Sequence, residues 1–502
     1  MRNSHVLQMF WRFTTLATMS ASFLPHSGNA ETIVRQETFE SASAQDDWYA
    51  DSGVWEIGIP TSGPSPNQLG QRAYRGTNCA ATVLNGNYGN NVNSSLIWDP
   101  VSPLVVPTAD QNPRLRFVSW MNSFPGDYGQ VLIRTNGGAW KNLAGTMTNF
   151  TGPGAAWGQT VLDLTAYANR TVQIAFLFHS DSGNTAEGWY IDDVTLVAGP
   201  IVPLVPNTAE SFENGWGDWS CEGSSYWELG KPTSGPNGAH QGTNCVATVL
   251  NGNYPEWGYD ATVYSNRLSS PAVTIPAASS NPRLRFWHFY SFSSGPDYGE
   301  VQIRVGTGPW QPLGHYEGNS SGVWTRPSFD LTSYAGQTVS FGFLFSHINN
   351  GGDYYIDTDV GWYLDEVMLV TGEYHTLTNN VTERFESRLG DWFVETGVWE
   401  VGTPTSGPAI NSLGYRAYSG SNCAATVLNG SYGDNIESRL TSPSFTVPAA
   451  DQNPRLRFVS WMNSFPGDYG QVLIRTNGGA WKNLAGTMTN FTGPGAAWGQ
   501  TV

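Results

Sequence analysis

The chain has 502 residues, with 41 acidic against 24 basic side chains and a formal charge of −17. That excess excludes the basic footprint of a nucleic-acid binder and works against docking on an anionic lipid surface. Charged residues make up only 13%, while 57 glycines, 21 tryptophans and 13% aromatics disfavour long helices and disorder alike, and predict an acidic all-β protein of about three domains.

Residues 1–30 read as a secretory signal: Arg2 and Arg12 in front, an apolar stretch from Phe13 to Leu24, and a small-x-small site at Gly28-Asn29-Ala30. No later segment approaches the apolar length of a membrane span.

The rest is one unit repeated. Phe39-Glu40, Phe212-Glu213 and Phe385-Glu386 are spaced by 173 residues. Trp55, Trp227 and Trp399 open a shared W-E-x-G-x-P-T-S-G-P phrase. N-C-A-A-T-V-L-N-G-N-Y begins at Asn78 and recurs, slightly altered, from Asn244 and Asn422; N-P-R-L-R-F begins at Asn112, Asn281 and Asn453. The period is too long for a solenoid, whose units run to about 20–50 residues, so each copy is a domain. The copies are placed at 31–198, 205–372 and 380–502. The Pro-rich 198–208 predicts a semi-rigid spacer, and the polar 372–380 a looser one. Residues 109–161 and 450–502 are identical at 53 positions. Val502 corresponds to Val161, so copy three lacks the counterpart of G-W-Y-I-D-D-V at 188–194, which copy two carries as G-W-Y-L-D-E-V at 361–367. Copy three is therefore expected to be incomplete and the sequence a fragment.

Within a copy, alternation marks strands. Val172, Ile174, Phe176 and Phe178 share one face, as do Val131 and Ile133; Leu115, Phe117 and Ser119 oppose Arg114 and Arg116. Period-two runs between Gly/Pro/Asn turns read as a β-sandwich, with D-L-T-A-Y-A (163–168) as a bridging turn. About 160 residues suits a jelly roll of two antiparallel sheets.

Of the four cysteines, Cys79, Cys245 and Cys423 share a repeat position, and only Cys221 and Cys245 fall within one copy. Those two are the one sensible bridge in an oxidising compartment; the alternative is small buried core residues, the reading favoured for Cys79 and Cys423.

The opening Phe-Glu, the W-x-x-G-x-P-T-S-G loop, D-Y-G-x-V-x-I with its following Trp, D-L-T-x-Y-A and the closing G-W-Y-I-D-D-V together resemble the MAM-like, concanavalin-like jelly-roll domains of bacterial surface and secreted proteins. That group includes modules of the cleaved-adhesin and choice-of-anchor type and those appended to immune-inhibitor-A-like metallopeptidases. The end motifs are also similar to those of jelly-roll carbohydrate-binding modules. The resemblance implies a structural calcium ion held by a Glu of the first strand and an Asp of the last: Glu40 with Asp192, Glu213 with Asp365, and Glu386 alone in copy three. Calcium takes six to eight oxygens, so backbone carbonyls would complete the shell. Asp193 and Glu366 follow directly and, by strand alternation, point to the opposite face.

No H-E-x-x-H, G-x-S-x-G or Walker loop is present, and none of the eight histidines marks a triad. The loop 353–362 supplies Asp353, Asp357 and Asp359, read as a solvated loop before a second calcium site. Asp127, Asp297 and Asp468 precede a strand in D-Y-G and read as turn residues that bond their own backbone. The recurrent Trp140, Trp310 and Trp481, like Trp55, Trp227 and Trp399, read first as core. Trp98 and Trp257 are unshared and are expected on variable loops where ligands bind. The sequence thus predicts a secreted or cell-surface, non-catalytic array that binds an extracellular glycan or surface protein. Two other readings stay open: an accessory region of a secreted hydrolase, and a structural spacer.

Overall fold

The computed structural model describes residues 30–502 apart from 43, 68, 101, 144–149, 224–225, 256–262, 294–296, 349–357 and 485–489. The signal segment 1–29, Trp257, Asp353 and Asp357 therefore lie outside the described residues.

Copy one contributes β1 (Thr32–Glu37), β2 (Trp48–Ala50), β3 (Glu56–Gly58), β4 (Cys79–Ala81), β5 (Asn93–Trp98), β6 (Leu104–Val105), β7 (Arg114–Asn122), β8 (Tyr128–Thr135), β9 (Lys141–Asn142), β10 (Gly158–Asp163), β11 (Thr171–His179) and β12 (Gly188–Ala198). They form two antiparallel sheets, β10-β7-β12-β4-β3 with β1 on β12, and β2-β5-β11-β8-β9 with β6 on β11. The alternation is realised as expected: Val172, Ile174, Phe176 and Phe178 of β11 are buried against Leu115, Phe117 and Trp189 of the facing sheet. The turn 165–167 is a single 3-10 turn between β10 and β11.

Copy two repeats the plan with β13 (Ser220–Gly223), β14 (Glu228–Gly230), β15 (Cys245–Ala247), β16 (Val263–Ser269), β17 (Val273–Thr274), β18 (Arg283–Ser291), β19 (Tyr298–Val305), β20 (Gln311–Tyr316), β21 (Ser328–Asp330), β22 (Thr338–Ile348) and β23 (Gly361–Val370). Its sheets run β13-β16-β22-β19-β20, with β17 on β22, and β14-β15-β23-β18-β21. These are jelly-roll β-sandwiches.

Copy three contributes β24 (Phe393–Thr396), β25 (Glu400–Gly402), β26 (Cys423–Ala425), β27 (Arg439–Thr441), β28 (Phe458–Ser460), β29 (Leu473–Ile474), β30 (Lys482–Asn483) and β31 (Gly499–Thr501), which pair only two by two. The physical reason is visible in copy one. There β11 and β12 are the strands onto which the others pair, and the sequence given stops at Val502, the counterpart of Val161, ahead of the positions they occupy.

Three expectations need correction. Trp98 is not on a variable loop; it lies in β5, fully buried, stacked on Trp48 at 5.2 Å. Cys221 and Cys245 are free thiols, as are the other two cysteines. They sit on different sheets of copy two, Cys221 in β13 facing Gly158 of copy one and Cys245 in β15 among Ala247, Phe289 and Tyr363. The segment 372–380 is not loose: the Tyr374 ring lies 4.3 Å from the Arg283 guanidinium and the His375 N–H donates to Asp391. No helix among the described residues is long and apolar enough to cross a membrane.

Candidate functional site

The loop Arg75–Asn78 gathers the carboxylates singled out in the sequence. Glu40 lies not in the first strand but just after it, following Phe39, whose backbone is left-handed (φ 57°). Its Oε1 accepts the N–H groups of Thr77 and Asn78 at 2.8 and 2.7 Å, and its Oε2 accepts Thr77 Oγ1 at 3.0 Å. Gly76 is required there: φ is +70°, and a Cβ would stand 2.4 Å from Glu40 Oε1. From the other end of the copy, Asp192 of β12 accepts the Arg75 N–H at 3.1 Å and the Asp193 N–H at 2.8 Å.

Asp193 does not point to the opposite face. The β12–β7 register breaks between Asp192 and Thr195, and Asp193 has φ +48°. This bulge turns its side chain back toward the same loop, 3.6 Å from Arg75 Nε. One oxygen of Asp193 is buried with no partner. Burial pushes the Asp192 carboxyl up to about 8, helped by the negative charges of Asp193 and Glu40 and opposed by the two backbone bonds. Burial raises Asp193 as well.

Copy two builds the same cradle. Glu213 accepts the N–H groups of Thr243 and Asn244, both at 2.7 Å, and Asp365 accepts those of Gln241 and Glu366 at 2.9 and 2.7 Å. Glu366 is again left-handed (φ 49°) and bonds His240 Nδ1. Burial pushes Asp365 up only to about 6, with His240 nearby pulling it down. In copy three Glu386 accepts Ser421 and Asn422 N–H groups at 3.0 and 3.1 Å, and these bonds hold its carboxyl below the usual range.

The sequence reading missed the residue three before each of the glutamates Glu40, Glu213 and Glu386. Glu37, Glu210 and Glu383 each accept the N–H of the following left-handed Phe at 2.6–2.9 Å. The recurrent Glu-x-Phe-Glu spacing was the available signal.

An all-oxygen donor set with a fully buried acid and an orphaned carboxylate oxygen fits a hard cation such as calcium. Among the described residues no three His, Cys, Asp or Glu side chains enclose a metal by themselves, so carbonyls or water would have to complete the shell. Asp359 instead accepts the N–H of Val360 at 2.7 Å and the Oγ of Ser291 at 2.6 Å. Asp127 and Asp297 are buried acceptors of bonds that come from far along the chain. Tyr88 O–H donates to Asp127 at 2.5 Å, and Tyr254 O–H donates to Asp297 at 2.7 Å. These bonds tie the N-G-N-Y loop to the D-Y-G turn. Tyr432 and Asp468 repeat the contact at 2.6 Å.

The two sheets present different outer faces. The sheet bearing Asp192 is covered by the 59–78 loop, where Ser62 Oγ meets Tyr190 O–H at 3.1 Å and Tyr190 is fully buried. The β2-β5-β11-β8-β9 sheet has an open face. Cross-strand pairs His179–Tyr128, Leu177–Gln130 and Gln173–Arg134 line it, all half-buried. Trp140 lies beside Arg134 (4.4 Å), whose Nε donates to Gln173 at 2.7 Å. In copy two Trp310 is held by Arg304 (4.4 Å) and Arg267 (4.7 Å) over Gly342, with Gln302 and Glu222 bonded to Arg267. Trp481 takes the same place beside Arg475 and Arg439. These three tryptophans are therefore half-buried plates on an outer face rather than core; of the other set, Trp227 is wholly buried, and Trp55 and Trp399 half-buried.

No family model matches the chain. A stretch of 165 residues, 32% of the chain, is 35% identical to Bacillopeptidase F of Bacillus subtilis (strain 168), covering 10% of that protein. Another of 118 residues, 21% of the chain, is 33% identical to the pre-pro-metalloprotease PrtV of Vibrio cholerae, covering 12% of it. The chain thus spans about a tenth of the length of the curated relatives it matches. Among solved structures, it is similar to TmCBM61 bound to beta-1,4-galactotriose (18% identity, TM-score 0.24, 34% of this chain and 97% of that one). It is also similar to the CBM22-1-CBM22-2 tandem domain of Paenibacillus barcinonensis Xyn10C (14%, TM-score 0.21, 68% and 98%).

Proposed function

We propose that the chain is an extracellular, non-catalytic array of MAM-like binding domains, copies one and two stabilised by calcium in their carboxylate cradles and each copy offering its open sheet face to a glycan. The observation that carries the reading is the recurrent tryptophan plate on that face, flanked by arginine in every copy and by Gln or Glu side chains. A ring face and fork-shaped donors next to amide and carboxylate acceptors suit the C–H faces and hydroxyls of a sugar. Weak sites linked in tandem raise the affinity for a polymeric ligand through effective concentration. In the cradle, Glu40, Asp192 and Asp193, or Glu213, Asp365 and Glu366, would hold the ion; it would supply charge neutralisation for the buried acids.

The test is a glycan array on calcium-loaded protein, followed by titration of any hit with Trp140→Ala, Trp310→Ala and Trp481→Ala combined. Loss of binding at unchanged melting temperature supports the reading; full binding by the triple variant removes it. For the cradle, Glu213→Ala should lower the melting temperature of copy two and abolish its response to chelator. Equal melting of wild type and variant, with and without calcium, ends the metal assignment. A second reading, an accessory region of a peptidase, is favoured by the sequence shared with short stretches of two proteases. It predicts that the array binds the protease's substrate rather than a glycan.

A further inference from the structure

The copies are joined by a device that recurs at both junctions. Arg114 and Arg116 of β7 face away from the core of copy one, yet Arg114 is 3% exposed, because both are held between Glu31 of their own copy, which Arg114 Nη2 meets at 2.6 Å and Arg116 Nη1 at 2.8 Å, and Asp218 of copy two. Arg114 Nε and Nη2 donate to Asp218 at 2.6 and 3.0 Å, and Arg116 Nε donates to it at 3.1 Å. Gln159 Nε2 donates to the carbonyls on either side of that aspartate, Gly217 O at 3.0 Å and Trp219 O at 2.9 Å. Gly217 sits at φ +54°, a value that favours glycine.

At the next junction Arg283 and Arg285 donate to Asp391 at 3.1 and 2.6 Å. Arg326, at the repeat position of Gln159, donates to the same two carbonyls, Gly390 O and Trp392 O, at 2.5 and 3.1 Å. Gly390 has φ +54° again. Two junctions of different sequence therefore use one geometry: a pair of arginines takes the aspartate of a Gly-Asp-Trp turn, and a third side chain takes the flanking carbonyls.

Copy three carries the same receptor residues, Arg455, Arg457 and Gln500, within the segment identical to 109–161. All three are exposed. The matching turn of copy one is no occupant for them. It has Asp46 where the others have glycine, and its Asp47 is already paired with Arg35 at 2.6 Å.

We propose that Arg455, Arg457 and Gln500 form a docking face for another domain of this same jelly-roll type, which enters through its Gly-Asp-Trp turn. Charge complementarity and the twofold precedent within the chain set the occupant: one carboxylate between two guanidinium groups, preceded by a glycine at φ +54°.

The experiment extends the full chain by placing residues 162–372 after Val502. Because 450–502 repeats 109–161, this completes copy three and follows it with a second copy-two domain. Hydrogen exchange is read at the added Gly-Asp-Trp turn, and X-ray scattering gives the maximum dimension. Docking predicts at least tenfold slower exchange at that turn than in R455E/R457E, and an extended, rigid particle that becomes flexible in the variant. Equal exchange at the added turn in both proteins overturns the proposal. Where R455E/R457E also loosens copy three itself, Asp→Asn in the added turn leaves copy three untouched and decides: unchanged protection overturns docking, and lost protection supports it. Concentration-dependent association of the unextended chain, abolished by R455E/R457E, would make copy one the occupant and overturn the assignment.

Discussion

Asp192 offers a test in which the sign of the effect changes with conditions. Its carboxyl stands at about 8 in the folded chain against an ordinary 3.8, because it is buried beside Asp193 and Glu40. A folded-state value raised above the unfolded one means that stability is whole below pH 3.8 and is lost as pH rises toward 8. Over the roughly three units up to pH 7 the unfolded carboxyl sheds its proton and the folded one keeps it. At about 1.4 kcal/mol per unit this removes on the order of 4 kcal/mol. For a domain of this size that is a fall of about 10 °C in melting temperature. Asp365, at about 6, loses roughly 3 kcal/mol over the same range by the same reasoning. A cation in the cradle replaces the proton and cancels the loss. Asp192→Asn keeps acceptors for the Arg75 N–H but carries no charge. In chelator at pH 7 the variant should therefore be more stable than wild type by several °C, with a shallower pH profile that keeps the slope due to Asp365. In saturating calcium it should be the less stable of the two. The assay is differential scanning calorimetry of the chain from pH 4 to 8, with chelator and with calcium. Parallel pH profiles for wild type and variant in chelator, together with no calcium response, would refute both the buried-acid argument and the cation.

Two further outcomes are expected. Gly188→Ala should cost about 2 kcal/mol or more in chemical denaturation, because φ is +91° and the new Cβ would lie 2.0 Å from Thr82 Oγ1. Gly86→Ala, at the same φ with nothing within 4 Å, should cost only about 1 kcal/mol, so equal losses would show that close approach is not what demands glycine in G-W-Y. Thiol titration after unfolding without reductant should count four free cysteines; a count of two would restore the bridge.

Much of the architecture was legible in the sequence because it obeys local periodicity. The alternation of Val172, Ile174, Phe176 and Phe178 places β11 with its buried face correct, and the repeated end motifs pair Glu40 with Asp192 on one loop. The failures share a cause: each depends on a residue that breaks a period or on a partner far along the chain. Alternation sent Asp193 and Glu366 to the wrong face because a bulge breaks the period there; glutamate does not announce a left-handed residue, and aspartate announces one only where a turn is already suspected. Trp98 was read as variable because copies were compared position by position, whereas cores conserve volume, and its ring completes a stack with Trp48 peculiar to copy one. Trp140, Trp310 and Trp481 recur because arginine-backed plates recur on an outer face, a reason for recurrence that burial statistics do not anticipate.

The arginines of N-P-R-L-R-F make the same point at larger scale. Alternation correctly set Arg114 and Arg116 opposite Leu115 and Phe117, and from one domain alone the expectation is a solvated pair. Arg114 and Arg116 take carboxylates from both sides, Glu31 of their own copy and Asp218 of the next, as an unpaired buried guanidinium is strongly disfavoured. The partner Asp218 lies 102 residues beyond Arg116, in a turn whose Gly-Asp-Trp reads in isolation as ordinary loop chemistry. The joint accounts for the recurrence of both motifs in copies two and three, whereas copy one, whose Asp47 pairs with Arg35 of its own domain, has Asp46 where they have glycine. Glycine at φ +54° thus goes with the two turns that meet a neighbouring domain, and not with the one whose aspartate pairs inside its own.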